Sequence, residues 1–202
     1  MRYSPEMSST ALTDAGVAYI TAHYVTLEDL CAGRTEAPEQ VKALIDERRL
    51  PQPSYALEDG TGMFPTDYFG LVDEAGGIEA LEGHFAARHR SATFAREAAA
   101  RELERDWQWY LDGTWGICLQ DVAPETIVRK NTLVWSLSEL LICPRPGSAE
   151  WRRSLREQVD ELDALEREFA PDWDRGEAQE RPPTRDLLIA AARERYPELF
   201  AE

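Results

Sequence analysis

The sequence predicts a mainly α protein. A small winged helix-turn-helix-like head with a β-hairpin covers residues 14–72, and a helical body of four to five helices covers residues 78–202. Three observations carry that reading. Two short helical patterns are joined by "RTEA", and "RRLPQPSYALEDGTGMFPTDYF" (48–69) then breaks at Pro51 and Pro53 and sets Asp59-Gly60 between strand-like runs. From Ile78 onward, apolar residues recur every three or four positions with few interruptions. Between the two parts, "DEAGG" (73–77) is the strongest break in the chain.

Residues 1–13 show no period and read as a tail. A first helix begins near Asp14, with Val17, Ala18, Ile20 and Tyr24 on its apolar face. Thr26 is placed to cap a second helix, with Asp29 three positions on, and Gly33 stops it. Pro38, whose fixed φ suits a first helical turn, opens a third that turns Val41, Leu44 and Ile45 inward. "SYAL" and "GMF" flank "EDGT" as a hairpin, and Pro65 to Leu71 form a helical turn.

In the body, Ile78 to Asp112 reads as one long helix whose apolar face runs through Leu81, Phe85, Ala92, Ala95, Ala99, Leu103, Trp107 and Tyr110. "TWGICLQDV" reads as a short extended connection. Pro124 opens a helix that ends at Cys143-Pro144, and Ser148 caps the next, marked by Trp151, Leu155, Val159, Leu162, Leu165 and Phe169. "APDWDRGEAQERPP" (170–183) is a loop, and Thr184 or Asp186 starts a last helix reaching Tyr196.

The 202 residues suffice for one sizeable core or a head plus a larger body, and 43% hydrophobic with 30% charged is a globular composition. A formal charge of −16 repels nucleic acid and anionic membrane. Cys31, Cys118 and Cys143 are odd in number with no CxxC pair, so free thiols and a cytoplasmic location are expected. No apolar run approaches the roughly 20 residues of a membrane span, and the N-terminus lacks a secretion signal.

Residues 19–72 hold nine carboxylates against four basic side chains, a net of −5. DNA-binding modules carry basic footprints, and here Glu39 opens the would-be recognition helix. Only Lys42, Arg48 and Arg49 could contact phosphates, so DNA binding is the alternative rather than the leading reading.

Candidate chemistry concentrates in "WGICLQDVAPETIVRKN" (115–131). Cys118 lies just ahead of a predicted helix start at Pro124-Glu125, where Arg129 and Lys130 are placed as anion anchors. A thiol near such charge can act as a nucleophile, and folding could bring His89 to it as a base. Trp107, Tyr110 and Trp115 would wall the pocket, with Glu125 at its rim. The competing reading makes Cys118 a small buried hydrophobe and the aromatics ordinary core. His84 and His89, five residues apart, point about 140° from each other on a helix. Glu157, Asp160 and Asp163 read as a solvated helix face. No metal and no cofactor are therefore expected, and no GxGxxG, P-loop or GxSxG is present.

The order "YVTLEDLCAG…VKALIDERRLPQPSYALEDGT…FPTDYF", then "GICLQDVAPETIVRKNTLV", then "WRRSLREQVDELDALEREFAP" resembles the domain-of-unknown-function 6058 family across about residues 17–196. That resemblance implies a place in bacterial natural-product biosynthesis and carries over no catalytic residue. Residues 25–70 are also similar to the winged-helix head of MerR-type regulators. The leading expectation is an accessory or tailoring protein that binds a small carboxylate-bearing metabolite in its body; whether it catalyses a reaction stays open. The alternatives are a one-component regulator that binds its operator as a homodimer, and a module docking on another biosynthetic enzyme.

Overall fold

A computed structural model describes residues 12–93, 99–171 and 184–201. The structure is mainly helical with one small three-stranded sheet. Helix α1 (Asp14–His23) is capped by Thr13, whose hydroxyl accepts from Gly16 N–H. It leads into strand β1 (Tyr24–Val25) and helix α2 (Leu27–Cys31). Thr26 caps α2 as expected: its hydroxyl accepts from Asp29 N–H at 3.2 Å and donates to the Asp29 carboxylate at 2.8 Å. Helix α3 (Pro38–Asp46) has proline in its first turn and buries Val41 and Ile45.

Strands β2 (Tyr55–Ala56) and β3 (Gly62–Pro65) then pair antiparallel around Asp59-Gly60, and helix α4 (Gly70–Ala75) follows. The sequence did not announce β1. It pairs with the other edge of β3, Tyr24 opposite Pro65, giving the order β1-β3-β2. A two-residue strand has no period of its own and exists only through its partner.

The expected long helix from Ile78 to Asp112 is instead two: α5 (Ile78–Ala92) and α6 (Ala99–Leu111). α5 ends at Thr93, whose backbone is extended and whose hydroxyl donates to His89 C=O at 2.8 Å. α6 runs back along α5, so Phe85 packs on Trp107 and Tyr110, and His89 reaches Asp106. The apolar period continues through both halves, which hid the reversal; Ala95 lies outside the described residues.

"TWGICLQDV" also departs from its extended reading. Gly113 closes α6 in the left-handed region (φ 71°), and Thr114–Cys118 form the short helix α7. The extended backbone begins only at Leu119, which bridges to Glu166. Helix α8 (Pro124–Ile142) and helix α9 (Ala149–Leu165) follow, and the Ser148 hydroxyl accepts from Trp151 N–H to cap α9. α9 stops four residues before Phe169. Of the predicted loop, residues 172–183 lie outside the described residues, as do residues 1–11 of the predicted tail. A π-helical segment (Arg185–Ala190), helix α10 (Ala191–Arg195) and a final 3-10 turn (Pro197–Leu199) complete the described chain.

Gly76 and Gly77 make the predicted break at 73–77 a turn between α4 and α5, yet the apolar core passes across it. Val41, Leu50, Phe64 and Tyr68 from the first part cluster with Phe85, Tyr110, Trp115 and Ile127 from the second. A separate cluster joins α8, α9 and the C-terminal helices through Leu137, Leu155, Leu162 and Ile189.

The seam between the parts lies at α7. A Cβ on Gly116 would sit 2.3 Å from Ser54 Oγ, and one on Gly113 would sit 2.4 Å from Gln52 O. Tyr24 OH donates to Gly116 C=O at 2.9 Å and Gln52 N–H to Leu111 C=O at 2.8 Å. Cys143, between Ile142 and Pro144, is exposed at the end of α8. Among the described residues, no helix is long and apolar enough to cross a membrane.

Candidate functional site

Of the predicted chemistry, α7 and α8 bring two residues together, and a third joins them that the sequence did not single out. Cys118, at the end of α7, is buried, and its thiol donates to Thr114 C=O at 3.6 Å. Lys130, on the inner face of α8, is buried beside it, 5.8 Å from the Trp115 ring centroid. Its ammonium pairs with Glu166 Oε1 at 2.9 Å, with the two side chains 7% and 0% exposed.

Glu166 is delivered by the residue after α9, held by the Leu119 bridge and by Gln120 Nε2 donating to Glu166 C=O at 3.2 Å. Thr184 donates to the same Oε1, while Oε2 is buried and has no hydrogen-bond partner among the described residues. Burial alone would depress the Lys130 pKa, but the Cys118 sulfur and the Glu166 carboxylate outweigh it and raise the value. A charged ammonium, a carboxylate and a thiol thus share one dry spot in the body.

His89 does not join Cys118. Its Nε2 lies 2.9 Å from Asp106 Oδ2, both side chains are 1% exposed, and the imidazole stacks on Phe85. Asp106 is further occupied: Asn131 Nδ2 donates to Oδ2 at 3.0 Å and the Arg105 guanidinium to Oδ1 at 2.8 Å. Trp115 Nε1 donates to Asp106 C=O at 2.9 Å. Trp115 and the adjacent pair Lys130-Asn131 therefore link two buried polar clusters. Asp106 and Glu166 were missed because each sits in a charged helical run that reads as solvated surface.

The other predicted residues are dispersed. Arg129 points outward from α8 and forms a forked ion pair with Glu161 of α9. Glu125 takes a forked pair from Arg88 at the surface, and those hydrogen bonds hold its carboxyl below the usual range. Trp107 and Tyr110 stack with centroids 5.4 Å apart against Phe85, as core.

In the first part of the chain, Arg48 is held by Asp112 at 2.8 Å and Arg49 by Glu79, while Lys42 is exposed on α3. On the acidic face of α9, Asp163 is engaged by Arg185 and Arg193. No cluster of three or more His, Cys, Asp or Glu residues suited to a metal occurs among the described residues.

The model of a family of unknown function, DUF6058, matches residues 78–197, from the first residue of α5 to the last turn. The match is narrower than the resemblance over residues 17–196. It takes in Cys118, Lys130 and Glu166 and leaves out the sheet. No curated protein and no solved structure matches the chain.

Proposed function

The chain belongs to the DUF6058 family, whose function is unknown, and we propose that it is an accessory or tailoring protein of bacterial natural-product biosynthesis that binds a small carboxylate-bearing metabolite in its helical body. One observation supports this reading: Lys130 stays charged inside an apolar core, already carrying a carboxylate, with the second Glu166 oxygen unpartnered. A buried ion pair often contributes no more stability than apolar packing of the same volume, so use rather than stability is the better reason for it. The ligand's carboxylate competes with Glu166 for Lys130 Nζ, Trp115 flanks the cation, and Cys118 supplies a thiol at the same place.

Isothermal titration of acetate, pyruvate and benzoate tests this. Glu166→Gln keeps the volume and frees the ammonium, so carboxylates bind about tenfold tighter than to wild type, and Lys130→Met abolishes binding. Absence of binding to wild type and Glu166→Gln alike would sink the proposal.

The alternative, a MerR-like regulator with a winged-helix head, loses two of its three cations to carboxylates of the body, Arg48 to Asp112 and Arg49 to Glu79. It requires a salt-sensitive gel shift that Lys42→Glu weakens. Docking on a biosynthetic enzyme is favoured by Trp135 and Ile142, 60% and 77% exposed and two helical turns apart on α8.

A further inference from the structure

A second place in the molecule has the makings of a ligand site, and the proposed metabolite site does not use it. Where α7 meets the hairpin, a small cleft is lined by Pro51, Ser54, Asp67, Tyr68, Tyr110 and Gly116, among others. Its interior of about 20 Å³ has room for one group the size of a water molecule.

Most polar atoms of the wall are engaged. Tyr68 OH donates to Pro51 C=O at 2.8 Å, and Ser54 Oγ to Gly113 C=O at 3.1 Å. Two are not. The Tyr110 hydroxyl, on a side chain 4% exposed, has no hydrogen-bond partner among the described residues, and neither has Asp67 Oδ1. The other Asp67 oxygen accepts from Val122 N–H at 3.3 Å. Arg167 Nη2 lies 4.0 Å from Oδ1, and the guanidinium donates instead to Leu119 C=O at 2.7 Å and Gln120 C=O at 2.9 Å.

The chemistry selects the occupant. Burial, and then the charge of Asp67, push the Tyr110 phenol well above its ordinary pKa, so it is neutral. Carboxylates gather on this side of the molecule: burial, then Asp67 and Glu74, raise the nearby Asp121 carboxyl against the opposing pull of Arg88, while Arg167, at 4.0 Å, balances part of the Asp67 charge. A carboxylate oxygen and a phenol in such a field call for an occupant that donates hydrogen bonds and carries positive charge.

We propose that this cleft receives the primary ammonium end of a small amine, with Asp67 Oδ1 and the Tyr110 hydroxyl as its polar contacts. Thermal melts of the full chain in methylammonium chloride test it, with potassium chloride and tetramethylammonium chloride at equal ionic strength as controls. Wild type gains a saturable rise in Tm with methylammonium alone, because the cleft is too small for four methyl groups. Tyr110→Phe weakens that response about tenfold in apparent Kd, and Asp67→Asn removes it.

The phenylalanine variant removes a hydroxyl without a partner, so its free form melts no lower than wild type and stays readable. A methylammonium response that matches potassium, or one unchanged in both variants, overturns the proposal. Lys130→Met leaves the response intact, which separates this site from the one at Glu166.

Discussion

Lys130 keeps its charge in the core because Glu166 and Cys118 hold it there, so removing it leaves the buried carboxylate with the Thr184 hydroxyl as its side-chain partner among the described residues. Lys130→Met is therefore expected to cost about 3–5 kcal/mol in urea denaturation. The double change Lys130→Met with Glu166→Leu recovers most of that loss, whereas additive effects would mean that the pair is not coupled. The sequence pointed to Cys118 and Lys130 because a thiol and a cation flank a helix start. It hid Glu166, since "DELDALEREF" repeats charges at helical spacing and burial arises only where the chain leaves α9 to bridge Leu119. His89 was a candidate base for Cys118 if folding brought the two together, yet its imidazole is taken by Asp106 seventeen residues on, across a helix reversal.

Helix starts were legible because their signals are local. Thr26, Pro38, Pro124 and Ser148 each stand where a cap or first turn needs them. The split between α5 and α6 was not, because an amphipathic period says nothing about the direction in which the next turn runs. α7 was missed for a similar reason. Its burial on all sides erased the polar face by which a helix is recognised. At this scale Gly116 decides how the hairpin seats on α7. Gly116→Ala forces a methyl onto Ser54 Oγ and is expected to cost about 1–3 kcal/mol, read as a lower denaturation midpoint. Adding Ser54→Gly removes the clashing oxygen and restores part of the loss; no restoration would move the strain elsewhere.

For the molecule as a whole, the sequence divided head from body at 73–77, where the structure has a turn, but could not foresee one apolar core running across it. The mainly α class was legible because the apolar period dominates the chain. Alkali is where the buried groups act together. Burial raises the pKa values of Tyr24, Tyr68 and Tyr110, so the unfolded chain releases those protons near pH 10 while the folded one retains them. The raised Lys130 contributes stability that is complete below its unfolded pKa and lost as pH climbs through the folded one. Both signs agree, so the urea midpoint is expected to hold near neutrality and fall steeply as pH passes about 10. A flat profile there would contradict the burial of these groups.

The most direct measurement is a crystal structure of the Glu166→Gln protein grown in acetate. An acetate carboxylate within hydrogen-bond distance of Lys130 Nζ, beside Cys118 and Trp115, is the predicted result. Lys130 Nζ bonded to the new amide oxygen, with no acetate at the site, would contradict it.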